Sequence, residues 1–216
     1  MSNKTSEKHI LWLGTGEGAP WHPLGAVEAE VRSSLAGLGA LEFTEEVNRL
    51  QELAGVGLLV CCADSWETSL TDGQVGGLLT FAAQGGAVLV VHNGICYQSR
   101  PEFQALVGGR FTGHPEAGEL EFRSVAPGHP LCQGAPLAWS MVEEPYQFEI
   151  HGVTGATPLY EYRHEGVWYP AGWTSRFGEG RVVYLMPGHS AASFAHPAYR
   201  LVLTSAARWL LSGSPL

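Results

Sequence analysis

Three short runs of this chain hold almost no polar side chain, and each stops at residues with chemistry to offer. Ile10-Leu11-Trp12-Leu13 stops at Gly14, Leu58-Leu59-Val60-Cys61-Cys62 stops at Ala63-Asp64, and Ala87-Val88-Leu89-Val90-Val91 runs into His92-Asn93-Gly94. Unbroken apolar runs of this length suit strands covered on both faces, the situation of a parallel sheet between helices. The segments between them read as those helices. Leu24 to Leu38 spaces Val27, Val31, Leu35 and Leu38 at helical intervals. Thr71 and Gln74 predict a capping box for a helix running to Gln84, and Ser99 and Glu102 predict a second box with Pro101 in the first turn. Alternation of strand and helix is the pattern of an open α/β sheet.

The second half changes character. Glu119 to Val125, Leu159 to Arg163, Val167 to Trp173 and Arg181 to Leu185 read as strands, with Glu165-Gly166 as the turn of a hairpin. A last helix starts at Pro197. The expected fold class is therefore α/β, a mainly parallel sheet with an added antiparallel portion in the second half. The 216 residues carry no linker long enough to divide them. The expectation is one domain over residues 9–213, preceded by a disordered polar tail over residues 1–8.

Charge excludes one class of partner. The formal net charge is −9, and the 12 Lys and Arg residues do not cluster, so the basic stripe of a nucleic-acid-binding protein is missing. No apolar stretch reaches the ~20 residues of a membrane helix. Cys61, Cys62, Cys96 and Cys132 show neither C-x-x-C nor zinc-finger spacing and read as reduced core thiols of a cytoplasmic protein. No nucleic-acid or membrane partner is expected. A homo-oligomer stays open, because Trp and Phe near the last helix fit a dimer face and a core equally well.

In an open α/β sheet ligands bind beyond the carboxyl ends of the strands. That rule selects Gly14 to His22, Asp64 to Trp66, and His92 to Gly94. His92, at a strand-to-helix elbow, is held over the sheet rim or else caps the strand. His189 follows Gly180 to Leu185 and a Pro-Gly turn, and is a site histidine or a turn histidine. Glu144, in Glu143-Glu144-Pro145-Tyr146, is an acid, base or orienting carboxylate, or part of a solvated acidic loop. His114 and His129 both precede proline. Gly14-Thr15-Gly16-Glu17-Gly18 lacks the dinucleotide and P-loop spacings and reads as a tight loop. Nine histidines suggest metal, but no H-x-x-x-H or H-E-x-x-H pair is present. No metal ligand or cofactor is assigned. A divalent ion stays open should His92, His114, Glu144 and His189 converge through the fold.

An ordered series of short motifs resembles the trehalose-utilisation (ThuA-like) family, from Ile10 to about Leu211. It comprises Trp21-His22, Val91-His92-Asn93-Gly94, residues 109–115 (GRFTGHP), Gly128-His129-Pro130-Leu131, residues 143–147 (EEPYQ), residues 180–184 (GRVVY) and Gly188-His189. The family is similar to class I glutamine-amidotransferase-like proteins, which implies a flavodoxin-like three-layer sandwich. The resemblance implies a site at His92, His114, Glu144 and His189 with His22 nearby, and a role in disaccharide or keto-sugar metabolism. Amidotransferase chemistry itself is not expected. It needs a thiol at the elbow, where His92 stands, and a glutamate two residues past the late histidine, where Ala191 stands.

Three functions follow. One is a sugar-acting hydrolase or isomerase with His92 or His189 as base and Glu144 as acid or orienting group. In it His22, Trp21, Asn93, His114, Tyr146 and Asp64 contact substrate, with Trp66 as a further stacking surface. The second is a carbohydrate-binding or sensing module without catalysis. The third is a metal-dependent hydrolase.

Overall fold

The structure is a computed structural model and describes residues 8–16, 18–19 and 21–213. The expected tail lies, apart from Lys8, outside the described residues, and so does Glu17.

The three apolar runs form β1 (His9–Gly14), β3 (Leu58–Cys62) and β4 (Ala87–Val91), with β2 (Ala40–Thr44) outside β1. Every residue of β3 and β4 is buried, as strands covered on both faces must be. Each such Leu or Val contributes about 1.5–3 kcal/mol through burial. Between them lie α1 (Leu24–Ser34) and α2 (Asp72–Ala83), followed by α3 (Pro101–Val107). Thr71 and Gln74 close the expected capping box at the start of α2.

The box expected from Ser99 and Glu102 does not form. A 3-10 segment, His92–Ser99, fills the span from β4 and makes Arg100 the residue that enters α3. The Ser99 hydroxyl then meets Ser69, and Glu102 pairs with Arg100 instead of reaching back to the backbone. The first helix also stops four residues before Leu38.

The second half supplies β5 (Gly109–Gly113), β6 (Gly118–Ser124), β7 (Ala138–Glu143), β8 (Gln147–Ile150), β9 (Thr157–His164), β10 (Val167–Phe177) and β11 (Gly180–Leu185). Glu165 and Gly166 both take positive φ, 47° and 82°, the geometry of a two-residue hairpin turn that follows strand twist. Nine strands form one sheet in the order β2-β1-β3-β4-β11-β10-β9-β6-β7, and β5 pairs with β8 apart from it. From β2 to β11 all pairs are parallel; from β11 to β7 all are antiparallel. The fold is mixed α/β, as expected from the change in pattern half-way along the chain.

A short helix, α4 (Ala191–Ala195), and the longest described one, α5 (Pro197–Ser212), complete it. Helix α5 packs on β3, β4 and β11, while α2 and α3 pack on β10 and β11. All four cysteines are buried and free. Among the described residues no helix is long and apolar enough to cross a membrane.

Pairing fixes strand direction, and direction places the site. Strands β1, β3, β4, β11 and β7 all end at one rim, because an even number of antiparallel steps separates β7 from β11. The loops leaving those five ends carry His22, Asp64, His92, His189 and Glu144.

Candidate functional site

His92 is the first residue after β4 and one of two described non-glycine residues with positive φ, 47°. An L-residue in that region is uncommon and marks a turn that its surroundings enforce. Gly94 is part of that enforcement. A Cβ there would lie 2.0 Å from the Cys61 carbonyl oxygen, so the turn presses backbone to backbone against β3. The ring is then fixed from three sides. Its Nδ1 lies 2.7 Å from the Met186 carbonyl oxygen. A carbonyl only accepts, so Nδ1 carries the hydrogen and Nε2 presents a lone pair. Tyr146 stacks on the ring at 4.2 Å and 29°, and His114 stacks on Tyr146 at 5.2 Å and 23°.

The lone pair of His92 has no hydrogen-bond partner although the residue is wholly buried. Glu144 Oε2 lies 3.3 Å from it, close but not aligned as a hydrogen bond. The same carboxylate oxygen lies 3.1 Å from His189 Nδ1. His189 Nδ1 is in turn 3.0 Å from His22 Nε2, and His22 Nδ1 is 2.9 Å from Asp64 Oδ2. An ionised carboxylate accepts only, so His22 directs its hydrogen at Asp64 and its Nε2 lone pair inward. One ligating atom from each of His22, His92, Glu144 and His189 falls within 4.8 Å of the others.

Glu143 holds the late loop in place. It ends β7 and is 1% exposed. Its carboxylate accepts the backbone N–H groups of Gly188, at 2.8 Å, of His189, at 3.3 Å, and of Glu144, at 3.0 Å. Buried carboxylates need such partners, since an unpaired charge costs several kcal/mol. Gly188 (φ 142°) permits the approach, because a Cβ there would sit 2.8 Å from Val91 Cγ1 and 3.1 Å from His92 Cβ.

The electrostatics follow from these contacts. Burial pushes the Glu144 carboxyl up, but the hydrogen bond and charge of His189 outweigh it and hold the group well below the usual carboxylate range. The hydrogen bond to Glu144 raises His189 above an ordinary imidazole against the opposing effect of burial. Glu143 and Asp64 add to the rise. His189 and Glu144 thus form a charge-paired couple, and His92 and His22 aim two lone pairs at it.

The structure brings together His22, Asp64, His92, Glu144 and His189, with Tyr146 and His114 as one wall. Trp21, the chain neighbour of His22, is 73% exposed, and Trp66 packs on Phe111 beside Tyr146. Asn93 does not join them. It is buried, with its side-chain amide turned to Cys62. Sequence reasoning passed over Glu143, whose partners are backbone groups about 45 residues away and carry no side-chain signature. His129 accepts from Leu131 N–H and caps a turn. Cys96, the nearest thiol to the elbow in sequence, is buried, bonds the Ala63 carbonyl, and is driven far from ionisation by desolvation. It is no substitute for an elbow nucleophile.

Fold and site together define a mixed α/β protein with a three-histidine, one-carboxylate centre at the carboxyl rim of its sheet. The chain belongs to the ThuA family, described as trehalose utilisation, whose family model matches residues 27–210. A search of curated proteins finds no match to the sequence. Among solved structures it is similar to a ThuA-like protein from Parabacteroides merdae, at 16% identity and TM-score 0.79, covering 96% of this chain and 90% of that one. A ThuA-like protein from Bacteroides uniformis is similar at 16% identity and TM-score 0.72, covering 97% and 94%. A cold-adapted β-galactosidase from Rahnella sp. R3 shares the fold over 95% of this chain and 31% of that one, at 16% identity and TM-score 0.65.

Proposed function

We propose that the protein is an enzyme of carbohydrate metabolism acting on a disaccharide or keto-sugar, with His22, His92, Glu144 and His189 as its reaction centre. The observation that carries this reading is the convergence of four ionisable groups from four strand-end loops, one of them a wholly buried imidazole nitrogen without a hydrogen-bond partner. A fold gains nothing in stability from leaving such a group unpaired, and unpaired buried groups concentrate where a substrate or ion completes the site. Family membership supports the substrate class.

Glu144 is the hub of the centre. It touches both His92 and His189, and the couple it forms with His189 places a proton where a sugar oxygen would bind. Exposed His114, backed by Tyr146, and exposed Trp21 offer ring faces, the usual means of holding a sugar's apolar face. Asp64 orients His22. Glutaminase activity has no support here, as an imidazole occupies the elbow.

The reading extends to fold and location. The order β2-β1-β3-β4-β11 matches the flavodoxin-like arrangement and supports a flavodoxin-like sandwich of the class I glutamine-amidotransferase-like kind. Four buried reduced thiols support a cytoplasmic setting.

The test is turnover of a panel of native and oxidised disaccharides. We expect one class to turn over, and Glu144→Gln to lower kcat about 100- to 10,000-fold with the protein still folded. A panel that binds, as read by thermal shift, but is never converted would make this a binding module and overturn the enzymatic reading.

A further inference from the structure

We infer that His22 Nε2, His92 Nε2, His189 Nδ1 and Glu144 Oε2 form a binding site for one divalent transition-metal ion. The inference rests on the reading of this cluster as the reaction centre and names the cofactor that would complete it.

Three independent features of the geometry carry it. The first is spacing. Ligands about 2.1 Å from a central ion lie roughly 3.0–3.4 Å from one another. The contacts observed are 3.0 Å for His22–His189, 3.1 Å for His189–Glu144 and 3.3 Å for His92–Glu144. Three of the six pairs are already at the separations of a coordination shell, and all four atoms lie within 4.8 Å of one another.

The second is tautomer. A ligating histidine offers a lone pair on one nitrogen and gives the hydrogen on the other to a carboxylate or carbonyl, which sets ring orientation and basicity. His22 does this with Asp64 and His92 does it with the Met186 carbonyl. Two different loops thus supply the supporting shell that metal sites use. The third is the orphaned lone pair itself. His92 Nε2 is wholly buried, points at Glu144, and has no hydrogen-bond donor. A cation at the centre of the four groups supplies its missing partner.

Three imidazoles and one carboxylate select the ion. Such a set suits zinc, iron(II), cobalt or manganese, whereas magnesium and calcium prefer oxygen throughout. The ion takes the place of the proton that His189 shares with Glu144, so that proton leaves the cluster as the ion enters. His189 is the most open member of the four, with 29% of its side chain exposed, and that side is the way in. A bound cation would polarise a sugar carbonyl or hydroxyl oxygen brought against it.

The experiment uses the full chain made without a histidine tag, stripped with chelator, and titrated calorimetrically with Zn²⁺ and with Mn²⁺. We expect one ion per chain, and visible absorption bands of a nitrogen- and oxygen-ligated centre when Co²⁺ is added. His22→Ala and His92→Ala should each weaken binding at least about 100-fold, and Asp64→Asn, which acts through His22, about 10- to 100-fold. His189→Gln, at the open edge, gives a second ligand variant should His92→Ala fail to fold. His9→Ala, at the start of β1 on the opposite rim, should bind as the parent does. Affinity equal in all variants, or no uptake beyond stray binding, overturns the site. The two proposals separate cleanly. One-to-one binding without turnover of any sugar supports the metal site and removes the enzymatic reading. Undiminished turnover by stripped protein does the reverse.

Discussion

Glu144 and His189 carry opposite pKa shifts from one contact, and this gives the metal-free protein a definite pH signature. Glu144 is depressed, so its contribution to stability is complete above the ordinary carboxylate range, about 4.3, and is lost as pH falls through its lowered folded value. His189 is raised, so its contribution is complete below about 6.5 and is lost as pH rises through its higher folded value. Both are fully present only between those limits. We expect the stability gap between the stripped parent and Glu144→Gln, measured by urea unfolding, to be larger at pH 6 than at pH 9. An equal gap at the two pH values would mean that the couple is not charge-paired. At this scale the sequence was partly legible. His92, Asp64 and His189 stand one, two and four residues after buried strands, where function concentrates. The pairing of His22 with Asp64 and the bonds Glu143 accepts from the Gly188 and His189 N–H groups were not legible, since they join residues 42 to 46 positions apart in sequence.

Elements differ in how much of themselves they write into sequence. Strands β1, β3 and β4 are covered on both faces, and their unbroken apolar runs announce it. Strands β5, β7 and β8 are short and lie at edges or in a separate pair. Ala138-Trp139-Ser140-Met141-Val142-Glu143 alternates only partly and buries a carboxylate at its end, so nothing in it reads as a strand. The connection after β4, which the sequence leaves as an elbow ahead of a helix containing Pro101, is a 3-10 segment. Its close approach to β3 is the reason: Gly94 leaves no room for a wider turn. Two glycine substitutions test these packed turns by denaturant unfolding. Gly188→Ala should fold and lose about 1–3 kcal/mol, through a strained φ and contact with Val91 and His92 that can relax. Gly94→Ala should be far worse, because its new Cβ meets a backbone oxygen that cannot move aside. Equal losses in the two would contradict the difference in packing.

On the scale of the molecule the centre exists because the sheet does not stay flat. Strand β7 is five places from β4 in the sheet, which at about 4.8 Å per strand would separate them by roughly 24 Å. Yet Glu144, one residue beyond β7, lies 3.3 Å from His92 at the end of β4. The antiparallel half must therefore coil back over the rim. An irregularity in β10 sits at the bend: its register against β9 shifts between Pro170 and Gly172 and again between Gly172 and Trp173, and such bulges sharpen twist and bend a strand. Coiling costs ladder regularity, and the contacts of Glu143 with the loop after β11 help to hold the coiled form. Removing that tie should act on fold and site together. In Glu143→Gln one acceptor oxygen becomes an amide donor facing backbone N–H groups, which leaves donors unpaired at a cost of about 1–3 kcal/mol. For a domain of this size each kcal/mol lowers Tm by roughly 2–4 °C. We expect that loss of Tm together with weaker metal binding, although Glu143 is no ligand. A variant with lowered Tm but unchanged metal affinity would show that β7 reaches the rim without this tie, and that the coil is held by apolar packing alone.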